Sequence, residues 1–318
     1  MRSSSPITRR DLDRLAVPAI ISGIAEPIIA LSDTAFAGRL GAADLAAVGI
    51  GSSFFLLVLW VLAQTRSAVL AVVARYYGEG RLVDVYDLVP IALWMNVGLG
   101  LLFYGITVPL ADAIFTLYDP APVVLEKAIG YYRVRAMGHP LALGVFAMTG
   151  AFRGIQNMQW SMWISTTGAA VNLALNPVLI FGWGPAPAMG INGSALASVI
   201  AQGIMFLVAA RVLVRRTPFA LLPDRWHHRE LAGLLRNSGN LFARTIALNA
   251  CYFFGNRFAS GYGLAYIGAH SIAMQLWLFS AFFIDGYAAA GSIIAGRLNG
   301  EGDRVQLHRV SWQVVRIT

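Results

Sequence analysis

Long apolar segments alternate with short polar ones along the whole chain. Apolar runs longer than about 18 residues, the length that crosses a bilayer as a helix, recur throughout the sequence. The predicted spans cover residues 15–37, 46–74, 88–111, 127–151, 160–182, 192–214, 240–261 and 264–296. Backbone groups in lipid must hydrogen-bond within their own segment. We therefore predict an all-α integral membrane protein, a polytopic helical bundle.

Composition agrees with this pattern. Of 318 residues, 57% are hydrophobic and 13% charged, and the mean hydropathy is +0.63, whereas soluble domains carry about 25% charged residues. The net charge of +8 comes from arginines that gather in alternate polar segments, which predicts a multi-pass protein of a bacterial-type inner membrane with a cytoplasmic N-terminus. No basic stripe is interleaved with aromatic residues, so nucleic acid is not an expected partner.

A motif repeats at the ends of two predicted spans. Residues 75–80 and residues 297–302 both read R-x-x-G-E-G, at an offset of 222 residues (297 minus 75). Six spans per unit return the chain to its starting side, so the repeat is parallel. We predict a complete six-helix lobe with its cytoplasmic linker at residues 1–232. Residues 233–318 form a partial second lobe with spans seven and eight and the start of a ninth, which suggests a truncated chain.

Several motifs resemble one transporter family. Residues 18–38 read P-A-I-I-S-G-I-A-E-P-I-I-A-L-S-D-T-A-F-A-G, and residues 152–156, 172–182 and 190–198 add R-G, N-x-x-x-N-P and G-I-x-G-S-A-L-A motifs. This pattern resembles the multidrug and toxic compound extrusion (MATE) family. Arg66, Arg244 and the pair Asp285-Gly286 resemble its DinF-like branch.

The resemblance implies secondary active efflux of small molecules. The expected partners are the lipid bilayer and amphipathic, cationic compounds, which leave in exchange for protons, with Na⁺ as the second choice of coupling ion. Asp33 lies deep in the first span, where an ionised carboxylate is costly unless paired or wetted. Because burial disfavours the charged form of a carboxyl group, Asp33 is the first candidate for proton coupling. Pro18 and Pro27 each remove a backbone donor, so they are candidates for bending this helix.

Two further carboxylates are candidates for proton coupling. Glu26 precedes Asp33 by two helical turns and shares its face, although a salt bridge with a nearby arginine such as Arg66 is the favoured interpretation. Asp285 lies in the eighth span, where an ionisable residue is a functional candidate by default.

Four polar residues are candidates for lining a substrate cavity. Arg66 lies in the second span, Gln275 in the eighth, and Asn172 and Asn176 in the fifth. The two asparagines share one helical face, and helix-to-helix hydrogen bonding is the alternative. The family often has an aspartate at the position of Asn176. Because this chain has no carboxylate there, Asp33 becomes the stronger candidate for proton coupling.

Other functions remain open from the residues alone. One alternative is a lipid-linked oligosaccharide flippase, which shares the parallel repeat but favours a basic cavity, and another is a truncated chain that folds without transporting. An enzyme is not expected, since paired acidic metal ligands, H-E-x-x-H, G-x-S-x-G and P-loop motifs do not occur in the sequence. No metal site or organic cofactor is predicted.

Overall fold

A computed structural model describes residues 7–184, 187–261 and 264–318, and these form twelve α-helices. The 3-10 turn Leu82–Val85 precedes α4. The helices are α1 (Arg9–Gly38), α2 (Ala42–Leu62), α3 (Thr65–Gly78), α4 (Leu88–Thr107), α5 (Ala111–Thr116), α6 (Pro122–Arg135), α7 (Gly138–Gly154), α8 (Met158–Phe181), α9 (Ile191–Arg216), α10 (Leu231–Gly261), α11 (Leu264–Glu301) and α12 (Arg304–Ile317).

The helical architecture confirms the predicted fold class. Within the described residues, five segments are long and apolar enough to cross a membrane: Arg9–Gly38, Ala42–Gly78, Leu82–Thr107, Met158–Phe181 and Ile191–Arg216. The described chain is therefore a polytopic helical bundle. The division into lobes at residue 232 stays a prediction.

Two predicted spans are interrupted, which corrects the expectation of continuous helices over residues 46–74 and 127–151. The first breaks at Ala63–Gln64. There the Gln64 side chain donates to the Trp60 carbonyl at 3.1 Å, which is the acceptor that the Gln64 backbone N–H would use in a continuous helix. The second breaks at Ala136–Met137. Because Pro140 has no N–H to donate to the Ala136 carbonyl, the helix cannot continue regularly there.

Helix ends differ from the predicted span ends by several residues. α1 begins at Arg9, ahead of the predicted 15, because the Asp11 carboxylate accepts hydrogen bonds from the backbone and hydroxyl of Thr8 at 2.8 and 2.7 Å. Such a cap satisfies donors that have no partner within the helix. α10 begins at Leu231 rather than 240, so part of the polar linker is helical.

Small residues let α3, α4 and α7 approach closely. A Cβ on Gly150 would lie 2.6 Å from the Arg66 carbonyl oxygen, and one on Gly100 would lie 2.5 Å from Cα of Pro140. Backbones can meet only where such side chains are missing. The main apolar core lies among α3, α4, α7 and α9, and its fully buried members include Val69, Leu93 and Phe152.

The repeated R-x-x-G-E-G motif forms the same helix end twice. Gly80 and Gly302 take left-handed φ angles of 71° and 75°. Arg81 donates its backbone N–H to the Tyr76 carbonyl at 2.9 Å, and Asp303 donates to the Leu298 carbonyl at 3.1 Å. This is a glycine cap that ends a helix and satisfies its last carbonyls. In each copy the arginine forms a salt bridge with the glutamate four residues later, Arg75 with Glu79 at 3.7 Å and Arg297 with Glu301 at 3.4 Å.

The two motifs also pack against each other, and we call this contact the seam (residues 75–80 against residues 297–302). A Cβ on Gly78 would collide with the Arg297 carbonyl, and a Cβ on Gly300 would collide with the Arg75 carbonyl. The contact is reciprocal, since the two positions of each copy are related by the same offset of 222 residues (300 minus 78, 297 minus 75). The seam joins α3 to α11 on the face of the bundle that holds the start of α1.

Candidate functional site

Asp33 is the centre of a buried hydrogen-bonded cluster. Its side chain is 3% exposed. One carboxylate oxygen accepts from the amide nitrogens of Asn176 and Asn172, at 2.8 and 3.3 Å, and the other accepts from the Ser198 hydroxyl at 2.9 Å. All three partners are neutral donors. Hydrogen bonds from neutral donors stabilise a buried carboxylate without cancelling its charge.

Three helices supply this cluster. Asp33 comes from α1, the two asparagines stand one turn apart on α8, and Ser198 lies on α9. The asparagines bond to each other at 3.1 Å, and Asn176 also donates to Ser32 at 3.2 Å. Both asparagines are fully buried. The two asparagines therefore form hydrogen bonds between helices, which was the alternative interpretation. A cavity-lining role for the pair stays a prediction.

One acceptor in the cluster has no hydrogen-bond partner in the part of the chain that the structure describes. It is Oδ1 of Asn176, which is buried beside the Asp33 carboxylate. A buried acceptor without a donor costs free energy. The atom is therefore a place where a proton carried by a neighbouring group would be stabilised.

A cavity opens next to the cluster, and Asp33 forms part of its wall. Two of its lining residues are charged, Asp33 and Arg135. The wall also carries the polar side chains of Ser52, Ser198 and Gln202. The apolar lining residues are Ile29, Ala30, Phe55, Leu56, Leu59, Ala142, Val145, Phe146 and Met205. A mostly apolar cavity with a few convergent polar groups is typical of small-molecule binding sites.

Arg135 is the second charged group of the cavity, and it is 6% exposed. It closes α6 at the break before α7, and its guanidinium carbon lies 3.6 Å from the centre of the Phe55 ring. One of its nitrogens donates to the Gln202 side-chain oxygen at 3.0 Å. His139 stacks beside Phe55, with ring centres 4.3 Å apart.

Sequence reasoning missed Arg135, Ser198 and Gln202. Arg135 was not among the predicted site residues. A signal was present, because Arg135 lies within a predicted span and directly before Ala-Met-Gly-His-Pro, where Pro140 breaks the helix. Ser198 and Gln202 are polar positions one turn apart on α9, so a shared face could have been read from their spacing.

The remaining predicted residues have different positions. Arg66 lies over the Phe146 ring, with its guanidinium carbon 4.8 Å from the ring centre, and is not among the residues that line the cavity. Asp285 is exposed on α11, within electrostatic range of Arg244 and Arg66. The side chains of Glu26 and Gln275 lie outside the described residues, so their roles stay predictions.

The two prolines of α1 lie within one continuous helix. Pro18 and Pro27 both fall inside Arg9–Gly38, and a bend that depends on Asp33 stays a prediction. Within the described residues, no three His, Cys, Asp or Glu side chains cluster as a metal site.

Comparison with known proteins identifies the family. The MatE family model matches residues 18–178 and 241–318. The chain is 31% identical to the probable multidrug resistance protein NorM of Deinococcus radiodurans, over 94% of this chain and 66% of that protein. It is 25% identical to DNA damage-inducible protein F of Escherichia coli, over 92% of this chain and 64% of that protein.

A solved structure shares the fold. The crystal structure of MATE in the bent conformation superposes with a TM-score of 0.90 at 23% identity, covering 97% of this chain and 69% of that one. The chain thus spans about two thirds of the length of these proteins. The matched family model, the relatives and the shared fold together show that this chain belongs to the MatE family of transporters.

Proposed function

We propose that the protein exports amphipathic small molecules in exchange for protons and that Asp33 is the proton-coupling group. The observation that carries the proposal is a buried carboxylate that is held by three neutral donors and also faces a largely apolar cavity. Family membership supports transport. The relatives named as multidrug resistance proteins support multidrug efflux and do not favour a lipid-linked oligosaccharide flippase.

The hydrogen bonds indicate how a proton changes the site. The ionised carboxylate only accepts, which matches its three donors. Protonation turns one of its oxygens into a donor and removes the negative charge that strengthens all three bonds. Asn176 Oδ1 is a buried acceptor close by. The proton therefore weakens the attachment of α1 to α8 and α9, and this weaker attachment allows α1 to move.

Charge explains why substrate and proton exclude each other. An ionised Asp33 attracts a cationic group in the low-dielectric cavity, and protonation removes that attraction. A ligand shifts an equilibrium only through its different affinity for two states. The membrane potential supplies about 2.3 kcal/mol per 100 mV for each charge moved inward.

The residues around the site support a choice of coupling ion and of orientation. The Asp33 cluster has a single carboxylate, which one proton neutralises, so we infer a proton as the coupling ion, with Na⁺ as the second choice. The ends of α3, α7 and α9 that lie on the same face as the start of α1 carry Arg75, Arg153, Arg215 and Arg216. By the positive-inside rule, these arginines support a cytoplasmic location for this face in a bacterial-type inner membrane.

Asp33→Asn tests the proposal. In proteoliposomes with an imposed proton gradient, we expect the variant to lower gradient-driven flux of a cationic rhodamine ester to the level of protein-free vesicles. Binding of this probe to the unsubstituted protein should weaken as pH falls, because protonation removes the charge that attracts it, and the variant should lose this dependence.

Asp44→Asn is the matched control. Asp44 lies on α2 outside the cavity, and its carboxylate binds Lys127 at 2.7 Å. This variant removes an aspartate that is close to Asp33 in the sequence but does not belong to its cluster, so gradient-driven flux should persist. Unchanged proton-driven flux in Asp33→Asn would contradict the proposal.

A further inference from the structure

The segment that connects α9 to α10 is docked against α4. The Trp94 indole N–H donates to the Leu221 carbonyl at 2.8 Å. Three residues later, the backbone N–H of Asp224 donates to the Asp87 carboxylate at 2.8 Å. Phe219 is 2% exposed and belongs to the main apolar core. Two hydrogen bonds and a buried ring therefore fix the course of this segment along the bundle.

The docked segment lies at the level of the lipid headgroups. α4 has 20 residues, the length that crosses the hydrocarbon core of a bilayer, so its first turn lies close to one membrane surface. Trp94 is six residues beyond the start of α4 (94 minus 88), which is about 9 Å along the helix axis. The His228 ring N–H donates to the Asp84 carbonyl at 2.7 Å, just ahead of that start. From Leu221 to His228 the segment therefore follows α4 out of the membrane.

The side chains that this segment exposes are apolar and basic. Leu222 is 63% exposed and Trp226 is 62% exposed, and Arg225 next to Trp226 is exposed as well. Arg215 and Arg216 end α9 and are also exposed. We call these five residues the linker surface. Tryptophan is enriched at membrane–water interfaces, and exposed apolar side chains beside arginines are typical of segments that lie in the interface.

The linker surface has an excess of positive charge. Residues 214–227 contain three arginines and one acidic residue, Asp224. Glu230, which ends the segment, forms an ion pair with Arg75 at 2.9 Å on the docked side. A cytoplasmic leaflet that contains anionic lipids has a negative surface potential, which attracts arginines at the membrane surface. The charge of the linker surface therefore complements such a leaflet.

From this geometry we propose that the linker surface binds the headgroups of anionic phospholipids. Trp226 and Leu222 enter the interfacial layer, and the three arginines contact the lipid phosphates, which guanidinium groups bind through paired hydrogen bonds. Zwitterionic lipids carry the same phosphate without a net charge, so they bind less tightly. The proposal goes beyond export and does not depend on proton coupling. Only its assignment to the cytoplasmic leaflet uses the orientation proposed above.

Local quenching by labelled lipids tests this binding. We replace Cys251, the single cysteine, by serine and attach a fluorophore to the thiol of Ala220→Cys, at an exposed position two residues before Leu222. The full chain is placed in nanodiscs that contain a small fraction of nitroxide-labelled phosphatidylglycerol or nitroxide-labelled phosphatidylcholine. Phosphatidylglycerol should quench the fluorophore more strongly, and the ratio of the two effects measures the preference. Absence of quenching, or equal quenching by the two lipids, would overturn the proposal.

Removal of arginines measures the electrostatic part of the binding. Arg216→Gln combined with Arg225→Gln should lower the preference by up to about fivefold for each arginine removed, because an arginine near an anionic surface strengthens binding by about that factor. Higher ionic strength should lower the preference as well, since salt screens exposed charges. The matched control is Arg39→Gln combined with Arg133→Gln, which removes the same charge from two exposed positions outside the segment. A preference that both double variants lower equally, or that neither lowers, would contradict a site on the linker surface.

Trp226→Ser tests the apolar part of the binding. Loss of the indole should weaken quenching by both lipids and keep their ratio, because the arginines remain. Unchanged quenching by both lipids would show that Trp226 does not enter the interface and would overturn the proposal. Asp33→Asn should leave the lipid preference unchanged, so failure of the linker surface and failure of proton coupling are seen in different measurements.

Discussion

The two halves of α1 are attached to different parts of the bundle by different forces. We call the part of α1 after Pro27 the outer half and the part before it the inner half, after the orientation proposed above. In the outer half, Asp33 accepts three hydrogen bonds from α8 and α9. In the inner half, Ala16 and Ile20 pack against Gly286 of α11, where a Cβ would lie 3.2 Å from the Ala16 carbonyl oxygen. The outer attachment depends on directional bonds to one carboxylate, and the inner attachment at Gly286 depends on shape.

Under the proposed mechanism, the proton acts on the outer half of α1. Protonation of Asp33 changes the bonds of that half, whereas the atoms nearest to an added Cβ at Gly286 belong to Ile20 and Ala16, which do not titrate. Pro27 lies between the two regions and has no backbone N–H to donate, so the helix is less tightly bonded where they meet. In this proposal the outer half responds to a proton while the inner half keeps its contact with α11.

The largest expected effect comes from filling the inner contact. Gly286→Leu places a branched side chain against Ile20 and the α1 backbone, and overpacking of this kind costs about 2–3 kcal/mol. Thermal unfolding in detergent should show a clear loss of stability. Gly98→Leu is the control, because Gly98 is exposed with no atom within 4 Å of an added Cβ. Equal stability of the two variants would show that the inner contact is not held by shape.

A smaller effect is expected in the outer half. Ser198→Ala removes the donor to one Asp33 oxygen, and the loss of a hydrogen bond to a charged group costs about 1.5 kcal/mol. The matched control is Ser161→Ala on α8. The Ser161 hydroxyl is equally buried and has no hydrogen-bond partner among the described residues, so its removal should not destabilise the protein. If both variants unfold at the same temperature, the Ser198 bond does not stabilise α1.

The smallest expected effect lies at the end of the inner half. Tyr287 of α11 donates its hydroxyl to the Asp13 carboxylate at 2.9 Å, in a partly exposed position. Tyr287→Phe should cost about 0.5–1 kcal/mol. A double-mutant cycle with Asp13→Asn measures the pairwise term. A coupling free energy of zero would mean that packing alone joins α1 to α11.

The sequence predicted the parts of the site that lie within single helices. The spacing of Asn172 and Asn176 placed them on one face, and both meet Asp33. The partners from other helices could not be predicted, because Ser198 and Arg135 reach the site through packing angles that no local pattern encodes. The break before α7 was readable from Pro140, whereas the break at Ala63–Gln64 involves a side-chain hydrogen bond that carries no sequence signature.

The reciprocal contact at the seam has the form of an isologous dimer interface contained in one polypeptide. Gly78 of the first motif packs on the Arg297 carbonyl, and the equivalent Gly300 of the second motif packs on the equivalent Arg75 carbonyl. Two identical subunits make the same pair of contacts around a two-fold axis. Loop insertions between the copies leave this interface intact, since its register is set inside each motif. A one-residue shift within either helix, in contrast, moves both glycines away from their carbonyls at once, because each contact pairs the glycine of one motif with the arginine carbonyl of the other.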